Sequence, residues 1–344
     1  MLCWLCKICT VKARQTVAVL HVIDYSLDTF YRMTQSMFSS LFPLVIVALL
    51  GYVALRSHYV SAQTIGDLSK ITFSLLFPLF LFINIAQADL SGIVSYSVFL
   101  TFYAVVISTF IITTLLAARL FKMQSAGGAV FALGSTYSNT IIVGLPVLIS
   151  VLSPSVAALV FLIISFHSAV LFGATSIFSS FATGNSFQLT RFCKGLLKNP
   201  LLIGIYSGLM VNMLGIDVPG FIASTLHLIT QGALALALFI LGANLYQYRL
   251  AGNYQQIISA TIIKLIVLPL AVLLVARLGF HLSDEITLIL VVLTACPTGV
   301  TAYIVACQQN SGQSLVAGTV VLSTLLSVVT IPLWIYILQT HLFS

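Results

Sequence analysis

Apolar runs of about 20 residues recur along the chain, separated by short polar or basic stretches. A run of that length is what an α-helix needs to cross the hydrocarbon core of a bilayer. The sequence has 344 residues, of which 60% are hydrophobic and 6% are charged. A soluble domain of this length could not bury so much apolar surface, and the short alternating segments of a membrane β-barrel are not seen. We therefore predict an all-α polytopic membrane protein.

Ten spans are predicted, in two groups of five that are divided by a short basic loop over residues 182–199. The predicted spans are 38–56, 69–88, 95–118, 127–151 and 155–181, followed by 200–216, 222–247, 254–277, 285–308 and 313–338. The first five-helix unit accordingly covers residues 37–181, and the second covers residues 200–344.

Residues 1–36 precede the first span and form an N-terminal extension. We expect them to be disordered, or to reflect an assigned start upstream of the true one at Met33 or Met37. They lack a clear apolar region followed by a small-residue cleavage site, so no signal peptide is predicted. Three cysteines here have C-x2-C-x2-C spacing: Cys3, Cys6 and Cys9. No fourth ligand follows nearby, so neither a metal site nor a cofactor is predicted.

The two groups of five spans resemble each other at a nearly constant offset of about 157 positions. "FPLVIVALLGY" opens the first group and "NPLLIGIYSGL" opens the second, so that Gly51 corresponds to Gly208. "LLAARL" at 115–120 likewise corresponds to "LLVARL" at 273–278. Each group crosses the membrane an odd number of times, so the second must enter from the opposite side. We predict two inverted five-helix repeats.

The basic residues of the loops agree with this topology, whereas those of the N-terminal extension, Lys7, Lys12, Arg14 and Arg32, would be exported by it unless the chain starts at Met33 or Met37. The loops after spans 2, 4, 6 and 8 carry Arg277 as their basic residue. The loops after spans 1, 3, 5 and 7 carry Arg56, Lys70, Arg119, Lys122, Arg191, Lys194, Lys198 and Arg249. By the positive-inside rule the second set is cytoplasmic and both ends of the bundle face outside, in the cytoplasmic (inner) membrane if the source is bacterial. Since these residues are scattered singly, the expected partner is the lipid bilayer and not nucleic acid.

The fourth and ninth spans contain polar and helix-breaking residues at corresponding depths. Span 4 reads "GSTYSNTIIVGLPVL" over 134–148, and span 9 contains Pro297-Thr298-Gly299. Irregular backbone at membrane depth is tolerated where it is buried in protein or lines a wet cavity. The second half of a broken helix begins with unpaired N–H groups and a positive dipole end. Two inverted broken helices that cross near the midplane would therefore favour a carboxylate.

These motifs, in this order, make the chain resemble the auxin efflux carrier family of secondary transporters. The resemblance covers residues 38–338 and is carried by "SNTIIVGLP", "IIKLIVLPLAV" (262–272), "ACPTGVTAYIVA" (295–306) and "VVTIPLWIY" (328–336). It implies a fold similar to that of bile acid:sodium symporters, with a scaffold of spans 1, 2, 6 and 7 and a moving core of spans 3–5 and 8–10. It also implies an organic acid substrate such as malonate or malate. The long cytoplasmic loop of the plant members is absent, which argues against an auxin-specific role.

The predicted substrate-binding residues lie at the two breaks and at one intramembrane lysine. Lys264 is about 15 Å along span 8 from its start near Tyr254, and its counterpart in the first half is Val106. We interpret it as a counter-charge for an anionic substrate or as support for the break in span 4, the alternative being a structural lysine that snorkels toward the cytoplasm. The predicted set is Ser138, Asn139, Thr140, Lys264, Pro297, Thr298, Gly299 and Thr301. The predicted helix-break positions are Gly144, Pro146, Pro297 and Gly299.

Other polar or small residues within spans have two interpretations each. Asn84, Gln87 and Gln231 either line the cavity from the scaffold or form hydrogen bonds between helices. His167 in span 5 is either a proton relay or a hydrogen-bonded packing residue. Gly204 and Gly208 form a G-x-x-x-G pattern that suits close packing within the scaffold or a homodimer face.

The expected function is secondary transport of a small organic carboxylate by alternating access. All seven acidic residues lie outside the span interiors, so no carboxylate proton relay is evident and the coupling ion, H⁺ or Na⁺, stays open. A channel or a transport-inactive receptor on the same fold is an alternative. An intramembrane enzyme is disfavoured, because the chain lacks the G-x-S-x-G, H-E-x-x-H and G-x-x-x-x-G-K-[ST] motifs. No catalytic residues are predicted.

Overall fold

The structure is a computed structural model. It describes residues 42–90, 96–123, 125–152, 157–183, 190, 193–194, 197–247 and 253–342. The predictions for the extension 1–36, including its three cysteines, therefore lie outside the described residues, as do those for Arg191 and Arg249.

The described residues form helices joined by short connections, and their extended contact is a single β-bridge. The prediction of an all-α chain is confirmed. The helices are α1 (Phe42–Arg56), α2 (Ala62–Ala86), α3 (Tyr96–Leu120), α4a (Ser125–Thr136), α4b (Thr140–Val151), α5 (Ala157–Thr183), α6 (Pro200–Met213), α7 (Gly220–Gln247), α8 (Tyr254–Gly279), α9a (Asp284–Ala295), α9b (Thr301–Gln308) and α10 (Gln313–Leu342).

Six helices in the described part of the chain are long and apolar enough to cross a bilayer: α2, α3, α5, α7, α8 and α10. The shorter α1, α4a, α4b and α6 are also apolar. Large hydrophobic side chains such as Leu50, Leu115 and Ile266 are exposed on the helix surfaces, as expected where lipid is the solvent. The chain is thus an integral, multi-pass membrane protein.

Polar caps explain where several helices begin. The side chains of Asn199 and Asn253 accept hydrogen bonds at 3.0 Å from the N–H groups of the second residues of α6 and α8. Helix α2 begins at Ala62 and not at residue 69, because the hydroxyl of Ser61 caps a polar turn that precedes the apolar run.

Four prolines lie in the interior of continuous helices, and three of them follow a π turn, Pro332 of α10 being the exception. The π turns cover Thr72–Leu76, Thr140–Gly144 and Ile263–Val267, and they precede Pro78, Pro146 and Pro269. A proline ring clashes with the carbonyl four residues earlier, and the wider turn relieves that clash without ending the helix. The prediction that Gly144 and Pro146 break span 4 is therefore wrong. Both residues lie within the continuous helix α4b, and the break comes earlier, at residues 137–139.

Two pairs of helices approach each other at glycines. A Cβ atom at Gly208 would lie 2.7 Å from the carbonyl oxygen of Phe82, so α6 packs directly on the backbone of α2. A Cβ atom at Gly51 of α1 would overlap the carbonyl oxygen of Phe239 in α7. The G-x-x-x-G pattern of α6 is therefore used for packing within the chain, which is the first of its two interpretations.

The largest buried apolar cluster surrounds the two interrupted spans. Phe102 and Phe110 of α3, Leu145 of α4b and Leu290 of α9a are fully buried within it. Buried residues of α5, α8 and α10, and also of α2 and α6, belong to the same cluster. This packing holds the interruptions deep inside the bundle.

Candidate functional site

The interruptions of spans 4 and 9 lie against each other. Residues 137–139 separate α4a from α4b, and residues 296–300 separate α9a from α9b. We call these two segments the crossover. Ser138 and Thr298 form an antiparallel β-bridge. The N–H of Asn139 donates to the carbonyl of Pro297 at 2.8 Å, and the N–H of Gly299 donates to the carbonyl of Tyr137 at 3.1 Å. The paired segments thus satisfy backbone groups that a broken helix would leave bare.

Local chemistry explains the interruption of span 9. Cys296 has φ −58° and ψ 148°, the extended conformation that a following proline favours. Gly299 is needed for close approach, because a Cβ atom there would lie 2.5 Å and 2.8 Å from two ring carbons of Tyr137. Span 4 has no such residues at its interruption, and Asn139 adopts φ −78° and ψ 64° while its backbone pairs with span 9.

A side chain accepts the N–H of each bridge residue. The N–H of Ser138 donates to Nε2 of His167 in α5 at 3.1 Å. The N–H of Thr298 donates to the hydroxyl of Ser323 in α10 at 3.0 Å. Both acceptors are buried. Sequence reasoning left the role of His167 open and missed Ser323, which is one of several hydroxyl residues in α10.

Lys264 is completely buried and contacts both halves of the crossover. Its ammonium donates to the hydroxyl of Ser138 at 2.8 Å and to the carbonyl of Thr294 in the last turn of α9a. The last carbonyls of a helix form its negative dipole end, which favours a cation. The lysine therefore does not snorkel to a membrane surface, and it supports the break in span 4.

The helix that carries Lys264 is itself tied to α10. Pro269 cannot donate to the carbonyl of Leu265, four residues earlier. The indole N–H of Trp334 donates to that carbonyl at 2.9 Å. The "IIKLIVLPLAV" and "VVTIPLWIY" segments thus meet in space, and their contact fixes the π turn that presents the lysine.

Hydrogen-bond donors are in surplus at the crossover. Nδ2 of Asn139 and Nδ1 of His167 are buried without a hydrogen-bond partner among the described residues. Helix α4b begins at Thr140 beside them, and the first N–H groups of any helix lack intrahelical acceptors. None of the described Asp or Glu side chains is buried. The site is therefore rich in donors and positive charge, which suits a ligand that brings acceptors.

The remaining predicted binding residues also lie at the crossover. Thr140 is buried at the first position of α4b, and Thr301 is half-buried at the first position of α9b. The hydroxyl of Thr298 donates to the carbonyl of Gly134 in α4a at 2.7 Å. The Ser138 and Thr298 hydroxyls are therefore used to hold the crossover together.

The three polar residues for which the sequence leaves both cavity lining and interhelical hydrogen bonding open have different surroundings. Nδ2 of Asn84 donates to the carbonyl of Phe80 in its own helix at 2.7 Å. Gln87 hydrogen-bonds His227 of α7 at 3.0 Å and lines a separate cavity of about 360 Å³ at the ends of α2 and α6. Gln231 is exposed at a turn within α7. Across the residues that can be described, no group of three metal-ligating side chains comes together.

Comparison with known proteins gives consistent matches over most of the chain. The model of a family described as membrane transport protein matches residues 36–190 and 186–335. A protein of Escherichia coli (strain K12) named "Uncharacterized transporter YfdV" is 26% identical over 303 residues, which are 86% of this chain and 96% of that protein. A protein of Rhizobium meliloti (strain 1021) named "Putative malonate transporter" is 21% identical over 295 residues, which are 85% of this chain and 92% of that protein.

Proposed function

The chain belongs to the membrane transport protein family, which is the auxin efflux carrier family that its motifs resemble, and we propose that this membrane transporter is a secondary carrier of a small organic carboxylate. The substrate binds at the crossover, near the middle of the bilayer. The observation that carries this proposal is the surplus of buried donors there, beside a buried ammonium.

The chemistry of the site supports a carboxylate in particular. Carboxylate oxygens only accept hydrogen bonds when ionised, so they match a site whose unpaired groups are donors. Asn139 offers its amide Nδ2, the start of α4b offers main-chain N–H groups, and Lys264 supplies charge. The name of the Rhizobium meliloti relative specifies malonate, a small dicarboxylate. Malonate and malate are therefore the first substrates to test.

Carriers that work by alternating access are commonly built from two related halves, and we propose that this chain has ten spans in two inverted repeats. Gly51 contacts Phe239, and Gly208 contacts Phe82. The glycines are separated by the same offset of about 157 positions as the phenylalanines. His58 and Gly215, the left-handed residues that follow α1 and α6, share that offset as well. Equivalent contacts at one offset are what a twofold repeat produces. The positive-inside rule then puts the bundle termini outside.

The moving unit in this proposal is the core of spans 3–5 and 8–10. Side chains from α5, α8 and α10 hold the crossover, through His167, Lys264 and Ser323. A bonded network of this kind favours motion as one body. The core would carry the site between the two membrane faces, past a scaffold of spans 1, 2, 6 and 7.

Uptake by reconstituted protein tests the proposal. Purified protein in proteoliposomes is expected to take up radiolabelled malonate or malate saturably, with empty liposomes as the control. Asn139→Ala should lower uptake by at least about tenfold, because it removes a buried donor. Asn84→Ala is the matched control, because Asn84 bonds only to its own helix, and it should stay within about twofold of wild type.

Other outcomes would identify a different function. Unitary currents in planar bilayers would indicate a channel, and ligand binding without uptake would indicate a receptor. Repeating uptake with and without Na⁺ or a proton gradient identifies the coupling ion. No saturable uptake of any mono- or dicarboxylate by folded protein would contradict the proposal.

A further inference from the structure

We propose that His167 and Ser323 are equivalent positioning residues that shape the transport site from opposite halves of the chain. This inference rests on the function proposed above. Each residue belongs to the fifth span of its half, and each accepts the N–H of a bridge residue of that same half. Their separation of about 156 positions matches the repeat offset to within one or two residues. The two side chains differ in chemistry, but each accepts a hydrogen bond from the main-chain N–H of a bridge residue.

His167 is held by aromatic rings. It is buried, stacks on Tyr137 with ring centres 5.1 Å apart and meets Phe102 edge-on at 5.7 Å. Nε2 must carry a lone pair to accept the Ser138 N–H, so the ring is neutral with its proton on Nδ1. In a protonated ring Nε2 would carry a hydrogen as well, and it could not accept the N–H of Ser138. Of the two interpretations open from the sequence, the proton relay is therefore the one that this geometry disfavours.

Ser323 accepts the N–H of Thr298 with its hydroxyl, a smaller group than the imidazole of His167. Its hydroxyl donates to the carbonyl of Val320 in its own helix at 3.3 Å. That bond orients the hydroxyl hydrogen away from the crossover and leaves an oxygen lone pair for the N–H of Thr298.

Each bridge residue is thus fixed at two atoms. Ser138 is held at its N–H by His167 and at its hydroxyl by Lys264 of the other half. Thr298 is held at its N–H by Ser323 and at its hydroxyl by Gly134 of the other half. The bridge therefore cannot rotate, and the donors that follow it, Asn139 and the start of α4b, point in a fixed direction. Loss of either acceptor would leave a buried N–H unpaired and let the bridge turn.

The test separates hydrogen bonding from packing at position 167. His167→Phe keeps the ring that stacks on Tyr137 but has no acceptor. His167→Gln loses the ring but keeps an acceptor near the end of the side chain. We expect the KM for the transported carboxylate to rise about tenfold in the Phe variant and to stay within about threefold in the Gln variant. The opposite ranking would show a packing role and would overturn the proposal.

Ser323 provides a second test with a smaller change in volume. Ser323→Ala is expected to raise the KM in the same direction as His167→Phe, while Ser323→Thr retains the hydroxyl and stays near wild type. If neither His167 variant yields folded protein, the two Ser323 variants alone test the proposal. A KM in Ser323→Ala equal to that of wild type would contradict the inference.

Hydrogen exchange distinguishes failure of this inference from failure of the proposed function. If wild-type protein takes up no carboxylate, the proposed function fails, yet exchange of the backbone over residues 134–145 can still be measured by mass spectrometry. Faster exchange in His167→Phe than in His167→Gln supports the anchoring role. Equal exchange in the two variants overturns it.

Discussion

Lys264 and Ser138 are 126 positions apart and belong to different halves of the chain, yet the ammonium of the first donates to the hydroxyl of the second at 2.8 Å. The same ammonium also bonds the carbonyl of Thr294. One charge therefore holds both interrupted spans. In the proposed repeat its counterpart is the apolar Val106, so this charge belongs to one half only.

Replacement of this lysine should strongly reduce transport. Lys264→Met keeps the length of the side chain but removes the charge and both hydrogen bonds. Uptake should fall by at least about tenfold, and stability should drop by about 1–3 kcal/mol because a buried hydroxyl and a buried carbonyl lose their donor. Lys70→Met, at an exposed lysine of α2, is the control and should behave as wild type. Uptake that survives unchanged in Lys264→Met would remove the lysine from the mechanism.

A methyl group at Gly299 should distort the crossover. The added Cβ would lie 2.5 Å from the ring of Tyr137, which is itself packed against His167 and Phe172 and has little room to move. Gly299→Ala should cost about 1–3 kcal/mol of stability and reduce uptake. Thermal unfolding and uptake assays measure the two effects.

Gly66→Ala is the matched control for this change. Gly66 lies in α2, with nothing within 4 Å of an added Cβ. Alanine there should leave uptake unchanged and raise stability by up to about 1 kcal/mol, as expected for a helix interior. If both alanine variants behave alike, the close approach at Gly299 has no functional role.

The scaffold glycines test the repeat independently of transport. Gly51→Ala and Gly208→Ala each add a methyl group against a backbone carbonyl of the neighbouring helix, which cannot move aside as a flexible side chain could. Both should lower the melting temperature of the purified protein. Gly232→Ala, where nothing lies within 4 Å, should not. A wild-type melting temperature in either variant would argue against the equivalence of the two helix pairs.

Span positions could be read from the sequence because length, polarity and caps are local properties. The predicted starts of spans 6 and 8 at residues 200 and 254 are the observed ones, and Asn199 and Asn253 cap those helices. The break in span 4 lies earlier than the predicted positions Gly144 and Pro146, because it depends on a contact that is not local. Residues 137–139 leave the helix because their backbone pairs with span 9, which is a tertiary contact, whereas Pro146 is accommodated by a π turn.

The candidate site was partly accessible from the sequence. Lys264 and Asn139 stood out, because charged and amide side chains are rare within membrane spans. Ser323 did not, because hydroxyl residues are common there and usually bond to their own helix. The available signal was the repeat offset, which relates His167 of span 5 to Ser323 of span 10.

A seam between the predicted core and scaffold gives the last prediction. The hydroxyl of Tyr206 in α6 donates to the carbonyl of Ser165 in α5 at 3.2 Å. Beside it lies a cavity of about 10 Å³, lined by Ile85, Leu162 and Leu209 among others, which is large enough for about one water molecule. If the core moves past the scaffold during transport, this seam must open.

Cross-linking across the seam should therefore stop transport. In protein whose native cysteines are replaced, Leu162→Cys with Leu209→Cys joins α5 to α6, and a short thiol cross-linker should abolish uptake until it is reduced. Ile85→Cys with Leu209→Cys joins α2 to α6, both in the predicted scaffold, and should leave uptake intact. Inhibition by the second pair alone would contradict the assignment of α5 to the moving core.

Removal of the Tyr206 hydroxyl should weaken the closed seam without unfolding the protein. A hydrogen bond of this kind contributes about 0.5–1.5 kcal/mol, so Tyr206→Phe should shift the balance away from the closed state by about two- to tenfold. The initial rate of cross-linking between positions 162 and 209 should fall by up to the same factor, because fewer molecules hold the two thiols together. Cross-linking between positions 85 and 209 should be unchanged, since it does not depend on the core. Equal slowing of both pairs would mean that Tyr206 stabilises the fold as a whole and has no specific role at the seam.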